Sequence, residues 1–141
     1  MKKILLTLIL LLTPMTLANG VGYISYEYIY QKLPISKEYQ KKIDAKTSQI
    51  KAYEKATLTQ VDNEKDLEKK SQIIKARKEG LVKLQKEYLT LKEEQKNVIL
   101  QKVKTASDIV LAQKGLDIII NSKIQVTGGV DCTLDVMKVI K

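Results

Sequence analysis

The chain is 141 residues long and carries 25 Lys and Arg against 16 Asp and Glu, a net charge of +9. It has no histidine, so the usual general base of enzymes is missing. Its single cysteine, Cys132, leaves no intramolecular disulfide to staple a small secreted fold.

Residues 1–18 read as a targeting segment. Lys2 and Lys3 form a basic start, and Ile4 to Leu12 form an apolar run too short to span a bilayer. Pro14 breaks that run, and Thr16-Leu17-Ala18 offers small residues for cleavage near Ala18, with Gly20 as a second option. No cysteine stands directly after the apolar run, which argues against a lipid anchor. The mature chain is therefore expected to be exported and soluble.

Residues 21–25, VGYIS, suit a strand. Ser25 is placed to cap a short helix from Tyr26 to about Leu33, which Pro34 stops. Ser36 is then expected to cap a new helix with Glu38 in its first turn. Tyr39, Ile43, Ile50, Tyr53 and Val61 give that helix a thin apolar stripe. Asp62-Asn63, in VDNEKD, is the best candidate for a reversal, so a tip is predicted at residues 59–64.

After the tip, Leu67, Ile74, Leu81 and Tyr88 repeat at seven, joined by Leu84, Leu91 and Val98. Lys70, Arg77 and Gln95 fill the seam imperfectly. Beyond Val98 the stripe moves to Ile99, Val103, Ala106 and Val110, the drift of a straight 3.6-residue helix. Two antiparallel helices packed along these seams would make a coiled-coil hairpin, an arm over residues 36–94. Ser36 to Gln60 would span about 38 Å and Glu64 to Lys114 about 77 Å. The lower part of the second helix must therefore pack elsewhere.

Gly115 is expected to end that helix. LDIII reads as a strand, Asn121-Ser122-Lys123 as a tight connection, IQV as a second strand and Gly128-Gly129 as a turn. Asp131 or Thr133 would cap a last helix whose apolar face is Leu134, Val136, Met137 and Ile140. The fold expected is mainly α with a small β body, of β-barrel type once assembled. Residues 19–35 and 115–141, with about 95–114 of the long helix, form the body, and the arm projects from it. Such a body is too small to bury much core alone, and its open strand edges invite pairing. Oligomerisation is the expected remedy.

The charge follows the same division. Residues 36–114 hold 19 basic and 12 acidic side chains, a surplus of +7, while the rest of the mature chain is balanced at four of each. A surface of this kind favours acidic partners and fast, salt-sensitive encounter.

VGYISYEYIYQKLP and KGLDIIINSKIQVTGGVDCTLDVMKVIK, at the two ends of a lysine-rich central segment, resemble the opening and ending of the Skp/OmpH family of periplasmic chaperones. The family commonly has Asp at the position of Ser25, and either residue can cap a helix. The start of the last helix corresponds to Asp131-Cys132-Thr133, with Cys132 where the family has an apolar residue. The resemblance spans essentially the mature chain. It implies a homotrimer whose bodies share a β-barrel and whose arms enclose a cavity. It also implies an ATP-independent holdase that shields unfolded outer-membrane proteins in the periplasm, and contact with lipopolysaccharide. No Gly-rich phosphate loop argues for a nucleotide cycle, and no cofactor or metal site is expected.

Single positions admit two readings each. Gly80 is either a tolerated glycine costing about 1 kcal/mol relative to Ala or a hinge that lets the arm open. Lys75, Arg77 and Lys78 are either a solvated face or a site for a client carboxylate or an anionic lipid head group. Tyr23, Tyr26, Tyr28 and Tyr30 pack the body or rim a client surface. Cys132 is expected buried and inert. No catalytic constellation appears, since Glu93 and Glu94 are adjacent on a helix and point apart. Two rivals to the holdase stay open: a trimeric coiled-coil scaffold of the envelope, and a basic protein that binds anionic lipid. Export argues against a nucleic acid as natural partner.

Overall fold

A computed structural model describes residues 20–140, so the targeting segment expected at 1–18 lies outside the described residues. The elements run β1 (Val21–Ile24), α1 (Tyr26–Lys32), α2 (Pro34–Asn63), α3 (Leu67–Lys114), β2 (Ile118–Asn121), a 3-10 turn (Ser122–Ile124), β3 (Val130–Asp131) and α4 (Thr133–Val139). The chain is mainly helical, with long helices and one small parallel sheet.

Ser25 caps α1 as expected, its hydroxyl accepting from the Tyr28 N–H at 3.3 Å. Ser36 does not cap α2. Leu33 precedes the first turn and Pro34 opens it, because a proline with fixed φ at the first helical position already starts a helix. Ser36 is buried inside the helix instead. Glu38 lies beyond the first turn and pairs with Lys42 at 2.8 Å.

The break between the two long helices comes later than predicted. Asp62 and Asn63 are the last helical residues of α2, and the break is Glu64–Asp66. Carboxylates fix it. Glu64 Oε1 accepts from the Lys65 and Asp66 N–H groups, and Asp66 Oδ1 accepts from those of Glu68 and Lys69. Asp66 is thus the N-cap that starts α3. Contacts between α2 and α3 pair rising numbers with falling ones: Ser36 with Gln95, Lys46 with Glu87, Gln60 with Arg77.

Below these contacts α3 changes partner. Ile99, Val103, Ala106 and Val110, at spacings of four, three and four, are buried against Ile24, Ile29, Leu33, Leu116, Cys132 and Val136. This is one core, built by the lower part of α3 with β1, α1 and α4. Gly115 closes α3 in the left-handed region, φ 61° and ψ 38°, which favours glycine.

The sheet order is β2-β1-β3, with both pairs parallel. IQV is therefore not a strand. Ile124 ends the 3-10 turn, Val126 is 97% exposed, and the second partner of β1 is Val130–Asp131. The reason is topological: β2 and β3 flank β1, so residues 122–129 must cross from one edge to the other. Gly128 and Gly129, both at positive φ, turn the crossing, and Gly129 sits so close to β1 that a Cβ there would lie 2.9 Å from the Val21 carbonyl oxygen.

At α4, Cys132 holds the N-cap position without a side-chain capping bond, while Asp131 Oδ1 accepts from the Thr133 N–H at 2.9 Å. Val136 is fully buried and Met137 and Ile140 pack on the core, but Leu134, expected on that face, is exposed. Cys132 is fully buried, and burial pushes its thiol pKa up.

Lys114, at the end of α3, pairs with Asp135 of α4 at 2.8 Å, which holds the Asp135 carboxyl below its usual pKa. A lowered carboxylate pKa contributes stability above the unfolded value, about 4, and that contribution is lost as pH falls through the folded value. Asp135→Asn should lower the urea midpoint at pH 7. The two proteins should converge as pH falls through the lowered folded value of Asp135; a gap that does not change with pH would refute the ion pair as cause.

Candidate binding surface on the paired long helices

Where α2 meets α3 the packing is thin. Leu81, Leu84, Tyr88, Leu91 and Val98 are half-buried, as the heptad pattern predicts. Near the tip the seam departs from that pattern. Leu67 is 83% exposed and Ile74 is exposed, while Lys70, Ile73 and Arg77 are half-buried.

Gly80 and Tyr53 explain part of this departure. An ideal Cβ at Gly80 would collide with the Tyr53 hydroxyl and lie 2.8 Å from its Cζ. The glycine therefore admits a tyrosine ring from α2. The Arg77 guanidinium covers that ring at 4.9 Å from the centroid, and its Nε and Nη2 donate to Gln60 Oε1 at 2.9 and 2.6 Å. Gly80 is thus the seat of an interhelical contact. Gly80→Ala should displace Tyr53, and the gain in helix propensity, about 1 kcal/mol, should offset the lost contact. In a Tyr53→Ala background the same change should stabilise by about that amount. Equal effects in both backgrounds, read from urea midpoints, would show that Tyr53 and Gly80 are not coupled.

Of the three candidate cations, Arg77 and Lys78 line one groove and Lys75 does not. The groove, about 420 Å³, lies between Tyr53 and Leu58 of α2 and Ile74 and Leu81 of α3. Leu58 is 65% exposed. The sequence pattern missed this site because Leu58 belongs to no stripe. The available signal was Gly80, the one glycine in residues 36–114. Val82 and Leu89 add further exposed apolar side chains on α3. Elsewhere the pair is held at its exposed surface by Lys46 and Glu87 at 2.9 Å, an ion pair that holds the Glu87 carboxyl below its usual pKa.

The body presents a second apolar surface. Val21 pairs with Ile118 and Tyr23 with Ile120, which places these four on one face of the sheet. Gly22, Ile24 and Ile119 face the core, where a Cβ at Gly22 would meet Leu116, Ile119 and Cys132 within 3.1 Å. In the single chain Val21 and Ile118 are exposed, as are neighbouring Ile124, Val126 and Val130. The four N-terminal tyrosines are divided. Tyr26 and Tyr30 pack on the core with ring centroids 6.5 Å apart, Tyr23 is half-buried, and Tyr28 is exposed beneath Lys32.

Among the described residues there is no group of three metal-ligating side chains and no helix long and apolar enough to cross a membrane. No protein-family model matches the chain, and no curated protein matches it by sequence.

Proposed function

We propose that this protein is an ATP-independent holdase of the periplasm, of the Skp/OmpH type. Three copies join through their β bodies into a shared barrel. Each α2–α3 pair forms an antiparallel coiled-coil arm, and the arms enclose an unfolded outer-membrane protein. The observation that carries this reading is the split of one chain into two kinds of surface. The lower part of α3 sits in a buried core, while the upper part joins α2 in a thin, basic pair with exposed Leu58, Leu67, Ile74, Val82 and Leu89.

The physics supports each part. The reversed order of contacts from Ser36–Gln95 to Gln60–Arg77 supports the hairpin. The uncovered outer face of an open three-stranded sheet supports assembly through the body. Scattered apolar side chains among lysines give weak contacts without sequence selectivity, and linked arms turn weak contacts into retention through effective concentration. The +7 of residues 36–114 draws acidic polypeptides to the arms, and lipopolysaccharide or an anionic membrane surface shares that chemistry.

A holdase suppresses aggregation of a urea-diluted outer-membrane protein without ATP at a stoichiometric amount, whereas an envelope scaffold leaves the client to precipitate. Salt separates the holdase from a purely ionic binder. Client affinity should fall as ionic strength rises to 1 M but not vanish, because the apolar contacts are unscreened. Complete loss of binding at high salt would favour the anionic-lipid binder.

A further inference from the structure

The groove between Tyr53 and Leu81 differs from the rest of the arm surface. Its cationic wall is built in advance. Arg77 is held by the neutral amide of Gln60 and by the face of Tyr53, and among the described residues neither it nor Lys78 forms a salt bridge. An arginine fixed by neutral partners keeps its full charge and the N–H groups that Gln60 does not use. Beside it, exposed Leu58 and Ile74 flank a floor of half-buried Tyr53 and Leu81. Apolar contact and a pre-oriented cation therefore meet in one space of about 420 Å³.

We infer that this groove binds an extended polypeptide segment in which an apolar side chain stands next to a carboxylate. The apolar side chain lies between Leu58 and Ile74, and the carboxylate reaches Arg77 and Lys78 on the α3 wall. Glu54 lines the α2 side and directs the carboxylate away from it. The occupant's identity as a client segment rests on the holdase reading; the groove's chemical preference does not.

The test uses the mature oligomer and three labelled peptides followed by fluorescence anisotropy. One alternates leucine and aspartate, one leucine and lysine, one serine and aspartate. The leucine–aspartate peptide should bind tightest. Arg77→Gln should weaken it about tenfold, the effect of one charged hydrogen bond. Lys78→Gln and the surface pair Leu58→Ser/Ile74→Ser should each weaken it severalfold without touching the seam, and Glu54→Gln should strengthen it. Equal binding of the leucine–lysine peptide overturns the proposal, as does unchanged affinity in the Lys78 and Leu58/Ile74 variants. Vesicles of anionic phospholipid that bind through Arg77 and Lys78 while the peptides do not would also overturn it. The two readings fail separately. Retained client protection with no groove-dependent peptide binding sinks the groove alone. Groove-dependent peptide binding with no protection of any outer-membrane protein sinks the holdase alone.

Discussion

If copies assemble through the sheet as proposed, aspartate at Ile118 and Val126 together should leave single chains without unfolding them. Both side chains are already exposed in the single chain, Val126 at 97%, so neither contributes to the core that folds one copy. Ile118 lies on the outer face of the sheet as the partner of Val21, and Val126 lines the same surface groove as Val21, Tyr23 and Ile120. If copies meet through that face, each substitution buries a charge against an apolar partner surface, repeated at every interface by symmetry. Light scattering should report the monomer mass, and far-ultraviolet circular dichroism should keep its helical signal. Client protection should drop with the loss of linked arms. A variant that stays assembled at the wild-type mass would place the interface elsewhere.

Ile99→Asp should have the opposite signature, loss of the fold itself. Ile99 is fully buried where α3 leaves α2 and enters the body. An unpaired charge there costs about 3–5 kcal/mol, a large share of the roughly 5–15 kcal/mol that holds a domain together. Leu100, one residue on, is half exposed, and Leu100→Asp should leave the urea midpoint nearly unchanged. Ile99→Val should cost about 0.5–1.5 kcal/mol. Similar midpoints for the Asp variants at 99 and 100 would mean that the lower part of α3 does not anchor the body.

Periodicity made the long helices and the drift to Ile99, Val103, Ala106 and Val110 legible, because burial on one side of a helix leaves a 3.6-residue trace. Ser25 and Gly115 were legible because caps are local chemistry. The failures are positions where a distant partner decides. Near the tip, apolar Leu67 and Ile74 turn outward while Arg77 turns in, since Tyr53 and Gln60 from the other helix receive it. IQV has the look of a strand, yet the parallel order β2-β1-β3 requires residues 122–129 to cross the sheet. Ser36 is the local exception: Pro34 starts α2 with Leu33 as N-cap, three residues before the expected cap. The groove between Leu58 and Ile74 left only Gly80 as a trace in the sequence, because each helix supplies half of it.

The most direct measurement is the light-scattering mass of the mature protein, alone and then mixed with a urea-diluted outer-membrane barrel protein at moderate salt. The expected result is a trimer that forms a soluble complex with the client and keeps it from aggregating. A stable oligomer beside precipitated client would contradict the holdase and favour the scaffold, and a monomer would contradict assembly through the sheet.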